Sequence, residues 1–156
     1  MPKPSLRVAT LAFLLLLGQS TLAYAAATLV RIDQVSHSDF ARTVQQIKTA
    51  IESRGQMIVA TIDHQNMLRM LGVSGPGAVT IEFGQPSMLK TVLVPNPQIG
   101  LDIPLRIYIW QRPDGKTVVS YYKVGPVFAS YGKPDLAKVG EMMDRLLADI
   151  VRAGTR

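Results

Sequence analysis

The chain has no cysteine. That absence excludes structural disulfides, thiolate metal sites, cysteine nucleophiles and a lipid-modified cysteine anchor together, so the folded state relies on its core. Histidine is scarce as well, with only His37 and His64, and no H-x-x-x-H or H-x-H spacing supports a metal centre. Lys and Arg exceed Asp and Glu by 17 to 11, giving a net charge of +6. No two basic residues are adjacent, so no stripe tracks a phosphate backbone and nucleic acid is not an expected partner. Ser87, Ser120 and Ser130 lack a G-x-S-x-G elbow. Phosphate-loop and dinucleotide patterns are missing too, as are internal repeats. GQPSMLKTVLVPNP could present Ser87, Lys90 and backbone N–H groups to an anion, but a plain connection explains it better.

What is present begins with an export signature. MPKPSLR carries Lys3 and Arg7, the apolar run VATLAFLLLLG follows, and AYAAA at 23–27 supplies small residues. This is the layout of a secretory signal, with an apolar core shorter than the roughly 20 residues of a bilayer span. Cleavage near Ala25 is expected, leaving one domain over 26–156 in the periplasm or secreted. The alternative is an uncleaved anchor, because Gln19, Ser20 and Thr21 only interrupt an apolar stretch reaching Val30. A membrane enters only through that segment.

Periodicity then predicts the elements. TLVRIDQV at 28–35 reads as a strand, and a helix capped by Ser36 or Ser38 follows, with Phe40, Val44, Ile47 and Ile51 on one face and Gly55 as its stop. QMIVATI is a second strand, and DHQNMLRMLG a short helix with Asp63 as N-cap and Gly72 as its end. AVTIEF at 78–83 alternates. A helix over 86–94 and the turn-rich PNPQIGLDIP are expected to pack over the sheet edge. RIYIWQRPDGKTVVSYY is a hairpin turning at Pro113-Asp114-Gly115, and a register facing Arg112 with Lys116 opposes Trp110 to Val118 and Tyr108 to Ser120. Leu105, Ile107, Ile109, Val119 and Tyr121 are then the core face. A last helix from Pro134 carries Leu136, Val139, Met143, Leu146 and Ile150 inward and Glu141, Arg145 and Asp149 outward. The fold class is α+β, β-α-β(4)-α, with a curved antiparallel sheet and both long helices on one face.

IDHQNMLRMLG, IEFGQPSM and IGLDIPLRIYIWQRPDGKTVVSY, preceded by HSDFARTVQQIKTAIESRG, resemble in order and spacing the signature blocks of the domain-of-unknown-function 302 family, over about residues 30–131. The resemblance implies a small domain of TATA-binding-protein-like topology, and little about activity. Gln85 departs from the Asn that usually follows Phe-Gly in the family, and the tail helix is longer.

Two groups of residues are candidate sites. Asp63 and His64 are an acid beside an imidazole. They could handle a proton or bind a metal with Met67, Met70 or a carboxylate such as Asp33, Asp39, Glu82 or Asp102, but a helix cap with a packed or hydrogen-bonded ring is the simpler reading. Met67 and Met70, spaced i, i+3, are expected to pack in the core. The second group is the sheet face opposite the helices, with Arg106, Tyr108, Trp110, Ser120 and Tyr122, joined by Thr80 and Glu82. Amphipathic aromatics with an arginine are enriched in interfaces and ligand grooves, whereas ordinary cross-strand pairing is the bland explanation. The expectation is a binding or assembly domain that forms a homodimer through this face and takes a small-molecule or protein ligand, with no cofactor. The competing expectation is a metal protein or metal-dependent enzyme centred on His64.

Overall fold

The computed structural model describes residues 29–156. The signal segment and cleavage site expected around Ala25 lie outside these residues. Among the described residues, no helix is long and apolar enough to cross a membrane.

Strand β1 (Arg31–Val35) leads to α1 (Phe40–Glu52), β2 (Met57–Asp63), α2 (His64–Met70) and β3 (Ala78–Gly84). A helical connection follows, made of α3 (Pro86–Met88), a π-helical turn (Leu89–Leu93) and a 3-10 turn (Pro97–Leu101). The hairpin β4 (Leu105–Gln111) and β5 (Thr117–Tyr122), then α4 (Gly125–Ala129) and α5 (Pro134–Gly154), complete the chain. The five strands form one antiparallel sheet in the order β1-β5-β4-β3-β2. The α+β class and the β-α-β(4)-α order are those read from the sequence.

The hairpin fixes the register of the sheet centre. Arg112 N–H donates to the Lys116 carbonyl at 2.8 Å, Gly115 takes φ 79°, and Tyr108 faces Ser120 while Trp110 faces Val118. Because side chains alternate, this register sends Ile107, Ile109, Val119 and Tyr121 to one face. There they meet Ile81 and Phe83 of β3 and a lid made by Ile47 and Ile51 of α1 with Leu147 and Ile150 of α5. Both long helices therefore cover the same face. Gly154 allows them to close up, since a Cβ there would sit 2.5 Å from Ile47 Cδ1.

Three local expectations need correction. The α1 cap is Asp39, whose carboxylate accepts from Arg42 N–H at 2.8 Å, while Ser36 is drawn inward to accept from the Thr43 hydroxyl at 2.8 Å. β1 starts at Arg31, three residues later than the apolar pattern suggested. The 86–101 connection also contributes Val92 and Ile99, which join Phe128 and Leu136 in a second apolar cluster against α4 and the start of α5. Met67 and Met70 are not core residues, being 55% and 79% exposed, because α2 buries no side chain fully.

The sequence reading missed α4. Its five residues are held by Asp144 of α5, whose carboxylate accepts from Val124 N–H at 2.7 Å and from Gly125 N–H at 3.2 Å. Gly125 and Gly140 let the two helices touch, for a Cβ on Gly140 would lie 2.9 Å from Gly125 Cα. Burial raises the pKa of nearby Tyr121, and the Asp144 charge adds to that.

Candidate functional site on the helix-free sheet face

The face turned away from α1 and α5 carries a continuous row of directly paired residues. From β2 to β1 it runs Ile62, Thr80, Tyr108, Ser120 and Asp33. Trp110 and Val118 flank this row on one side, and Glu82 and Arg106 on the other. Neither long helix covers it, yet Thr80 is only 8% exposed and Ser120 only 6%. The large side chains of the same face shield the small ones.

His64 reaches this face from the first turn of α2. Asp63 caps that helix, its carboxylate accepting from Asn66 N–H at 2.8 Å, so the acid is engaged with the backbone and does not orient the imidazole. The imidazole bends back over β3, where Nε2 and the Thr80 hydroxyl are 2.8 Å apart and share one proton according to the ring's tautomer. Its ring meets Tyr108 edge-on, with centroids 5.9 Å apart. Tyr108 in turn lies nearly parallel to Trp110, at 6.5 Å and 10°. Such contacts contribute about 0.5–1.5 kcal/mol each beyond burial.

The Trp110 indole N–H donates to the Ser120 hydroxyl at 2.9 Å, although Ser120 lies diagonally across the hairpin. Ser120 passes its own proton toward Asp33 Oδ1 at 2.6 Å, and Arg31 Nε donates to the same oxygen at 2.9 Å. The hydrogen bond from Ser120 holds the Asp33 carboxyl below its ordinary range, partial burial opposes this, and Arg31 strengthens it. A carboxylate so stabilised is a poor base. Ser120, with its hydroxyl engaged on both sides, is not arranged as a nucleophile.

The margins carry both signs of charge. Arg106 pairs with Glu82 at 3.2 Å and is 63% exposed, while Tyr122 beyond it is 50% exposed. The structure thus brings together His64, Glu82, Arg106, Tyr108, Trp110, Ser120 and Tyr122 on one surface, with Asp63 beside them as the cap. It does not unite the two histidines: His37 follows β1 and its backbone N–H donates to the Thr155 carbonyl at 3.0 Å. Among the described residues, no group of three or more His, Asp or Glu side chains is placed to hold a metal ion. Asp33 was visible only as one of several loose carboxylates. Its signal was the alternation Arg31, Asp33, Val35, which becomes legible only once β1 is known to pair with β5.

A family model described as "Domain of unknown function DUF302" matches residues 32–151. Among curated proteins, the fluoride-specific ion channel FluC 1 of Brucella suis biovar 1 (strain 1330) is 27% identical over 81 residues, which is 52% of this chain and 32% of that protein. The fluoride-specific ion channel FluC 2 of Brucella melitensis biotype 1 is also 27% identical over 81 residues, covering 52% and 30% of the two chains. This chain therefore spans about a third of the curated relatives it matches. A crystal structure of an uncharacterized conserved protein DUF302 from Bacillus stearothermophilus superposes with a TM-score of 0.72, covering 81% of this chain and 98% of that one at 16% identity. At that identity the likeness is one of fold.

Proposed function

Since the chain belongs to the DUF302 family, whose description assigns no activity, we propose from its surface chemistry that it is an exported binding and assembly domain that forms a homodimer through its helix-free sheet face. One observation carries the reading: a stacked Tyr108–Trp110 pair stands beside a hydrogen-bonded polar network on the sheet face turned away from α1 and α5. Tyr, Trp and Arg are the residues most enriched at energetically dominant interface positions. A network satisfied within one copy can be buried by another without stranding a donor or acceptor.

A second copy is the occupant best matched by charge. A two-fold interface presents the same patch to itself, so it must contain its own complement. Arg31 with Asp33 and Arg106 with Glu82 supply both signs beside an uncharged aromatic centre. A smaller ligand held among Tyr108, Trp110 and His64 is compatible with the same surface. Export follows from Lys3, Arg7 and the run at 8–18, and periplasmic or secreted material is where the domain is expected.

Trp110 is the chain's only tryptophan, so its fluorescence reports on this face alone. Acrylamide quenching of the intact protein should weaken as concentration rises through the association range, and more so than for Arg106→Glu. Quenching that is independent of concentration and equal in both proteins argues against the interface. Metal analysis of the same preparation tests the alternative: stoichiometric metal retained by the parent protein and lost in His64→Ala replaces the assembly reading with a metal site.

A further inference from the structure

On the other side of the sheet lies a cleft of about 290 Å³, at the end where β2 and β4 begin and β3 ends. Leu105, Phe128 and Val139 form part of its wall, together with Met57, Met88 and Met143. Its lining includes no charged side chain, and only Gln56 and Gln85 are polar. A cavity so lined holds water poorly, since a buried water needs two to four polar partners. It favours an apolar occupant.

We propose that this cleft binds one unbranched acyl chain of an amphiphile. The size fits a chain of medium length: the space is many times the roughly 10–15 Å³ that a single water requires, so a run of methylenes is accommodated. The wall fits a flexible guest, because unbranched methionine side chains re-pack around variable shapes. The rim fits an amphiphile's route of entry. Leu89 and Met57 line the cleft while remaining 45% and 52% exposed, and Val94 and Leu101, next in the chain to the lining residues Leu93 and Gly100, are 75% and 85% exposed. Apolar groups so presented around a cleft mark a contact surface for lipid or another apolar partner. The amides of Gln56 and Gln85 can donate to the acceptor oxygens of a carboxylate or ester. Lys90, exposed on the same helical connection, has no ion pair among the described residues and matches an anionic head.

Titration calorimetry of the purified protein with sodium salts of the saturated fatty acids from hexanoate to hexadecanoate tests this directly. The expected result is one site per chain with tightest binding near decanoate, weakened at least tenfold by Val139→Phe, which fills the cleft. A parallel flotation arm with phosphatidylglycerol vesicles separates the sources of the chain. Vesicle binding without free-acid binding assigns it to a bilayer lipid, and the converse assigns it to a free acid. Should Val139→Phe fail to fold, a photoactivatable diazirine decanoate on the unaltered protein reads the same site, with adducts expected within 56–59, 83–105 or 139–143 or at Phe128. Binding to neither probe overturns the proposal, as do affinity unchanged in a folded Val139→Phe and adducts confined to the opposite sheet face.

Discussion

The Ser120 hydroxyl stands 2.6 Å from the Asp33 carboxylate, directly across the β1–β5 ladder, and ties the edge strand β1 to the aromatic centre of the sheet. The same hydroxyl accepts the Trp110 indole N–H, so one small side chain joins three strands' worth of structure. Removing it takes away two hydrogen bonds at once, leaving the Trp110 N–H without its acceptor while the half-exposed Asp33 keeps Arg31. Ser120→Ala is expected to destabilise the protein by about 1–3 kcal/mol, the range for two hydrogen bonds of about 0.5–1.5 kcal/mol each. Urea denaturation measures this, and a loss much smaller than that means solvent replaces the hydroxyl at no penalty.

Asp33 should contribute to acid sensitivity. Its folded-state pKa is depressed, chiefly by the Ser120 hydrogen bond, so its stabilising effect is fully present above its unfolded value of about 3.9 and is lost as pH falls through the lower folded value. Asp33→Asn should flatten that part of the acid limb and leave the neutral-pH slope unchanged. Stability measured from about pH 5 downward checks it. Ser120→Ala should raise the Asp33 pKa toward its ordinary value, as read by carboxyl-carbon NMR.

His64 has a structural task that is separable from chemistry. Thr80→Val removes its hydrogen-bond partner while keeping the shape, and should cost about 0.5–1.5 kcal/mol. His64→Ala should cost more, because the edge-on contact with Tyr108 goes as well. Equal losses in the two variants, measured by thermal unfolding, would show that the ring contact contributes nothing.

Asp144 and Gly140 each make a prediction about a segment that no pattern revealed, one through lost hydrogen bonds and the other through overpacking. Asp144→Ala removes the acceptor from Val124 and Gly125 N–H and should free α4, at about 1–3 kcal/mol. Gly140→Ala gains about 1 kcal/mol of helix propensity, but its Cβ meets Gly125 Cα at 2.9 Å. Backbone on the receiving side cannot swing away, and overpacking of about 1–3 kcal/mol should make the net change destabilising. Amide exchange across 124–130 distinguishes local opening from global loss.

Much of the site is legible in the sequence, because a tight turn at Pro113-Asp114-Gly115 fixes a hairpin register and the register fixes which side chains share a face. That reasoning placed Tyr108 opposite Ser120 and put Trp110 beside them. What it did not supply depended on contacts distant in the chain. The 87-residue separation of Asp33 and Ser120 leaves no local trace. Nor does the apolar cleft, whose walls come from segments as far apart as 56–59 and 139–143. Met67 and Met70 were misplaced for a related reason, since i, i+3 spacing shows that they share a helix face but not that anything covers it. The family blocks pointed the same way as the periodicity, and the matched region, 32–151, extends deep into α5 beyond the 131 that those blocks suggested.

The central claim is that the Trp110 face joins two copies of the chain. Light scattering coupled to size-exclusion chromatography tests it most directly, by comparing the parent protein with Trp110→Ala at matched micromolar concentrations. The account predicts a dimer mass for the parent and a monomer mass for a variant that remains folded by circular dichroism. A monomeric parent over the whole accessible concentration range, or a dimer that survives Trp110→Ala undiminished, would contradict it.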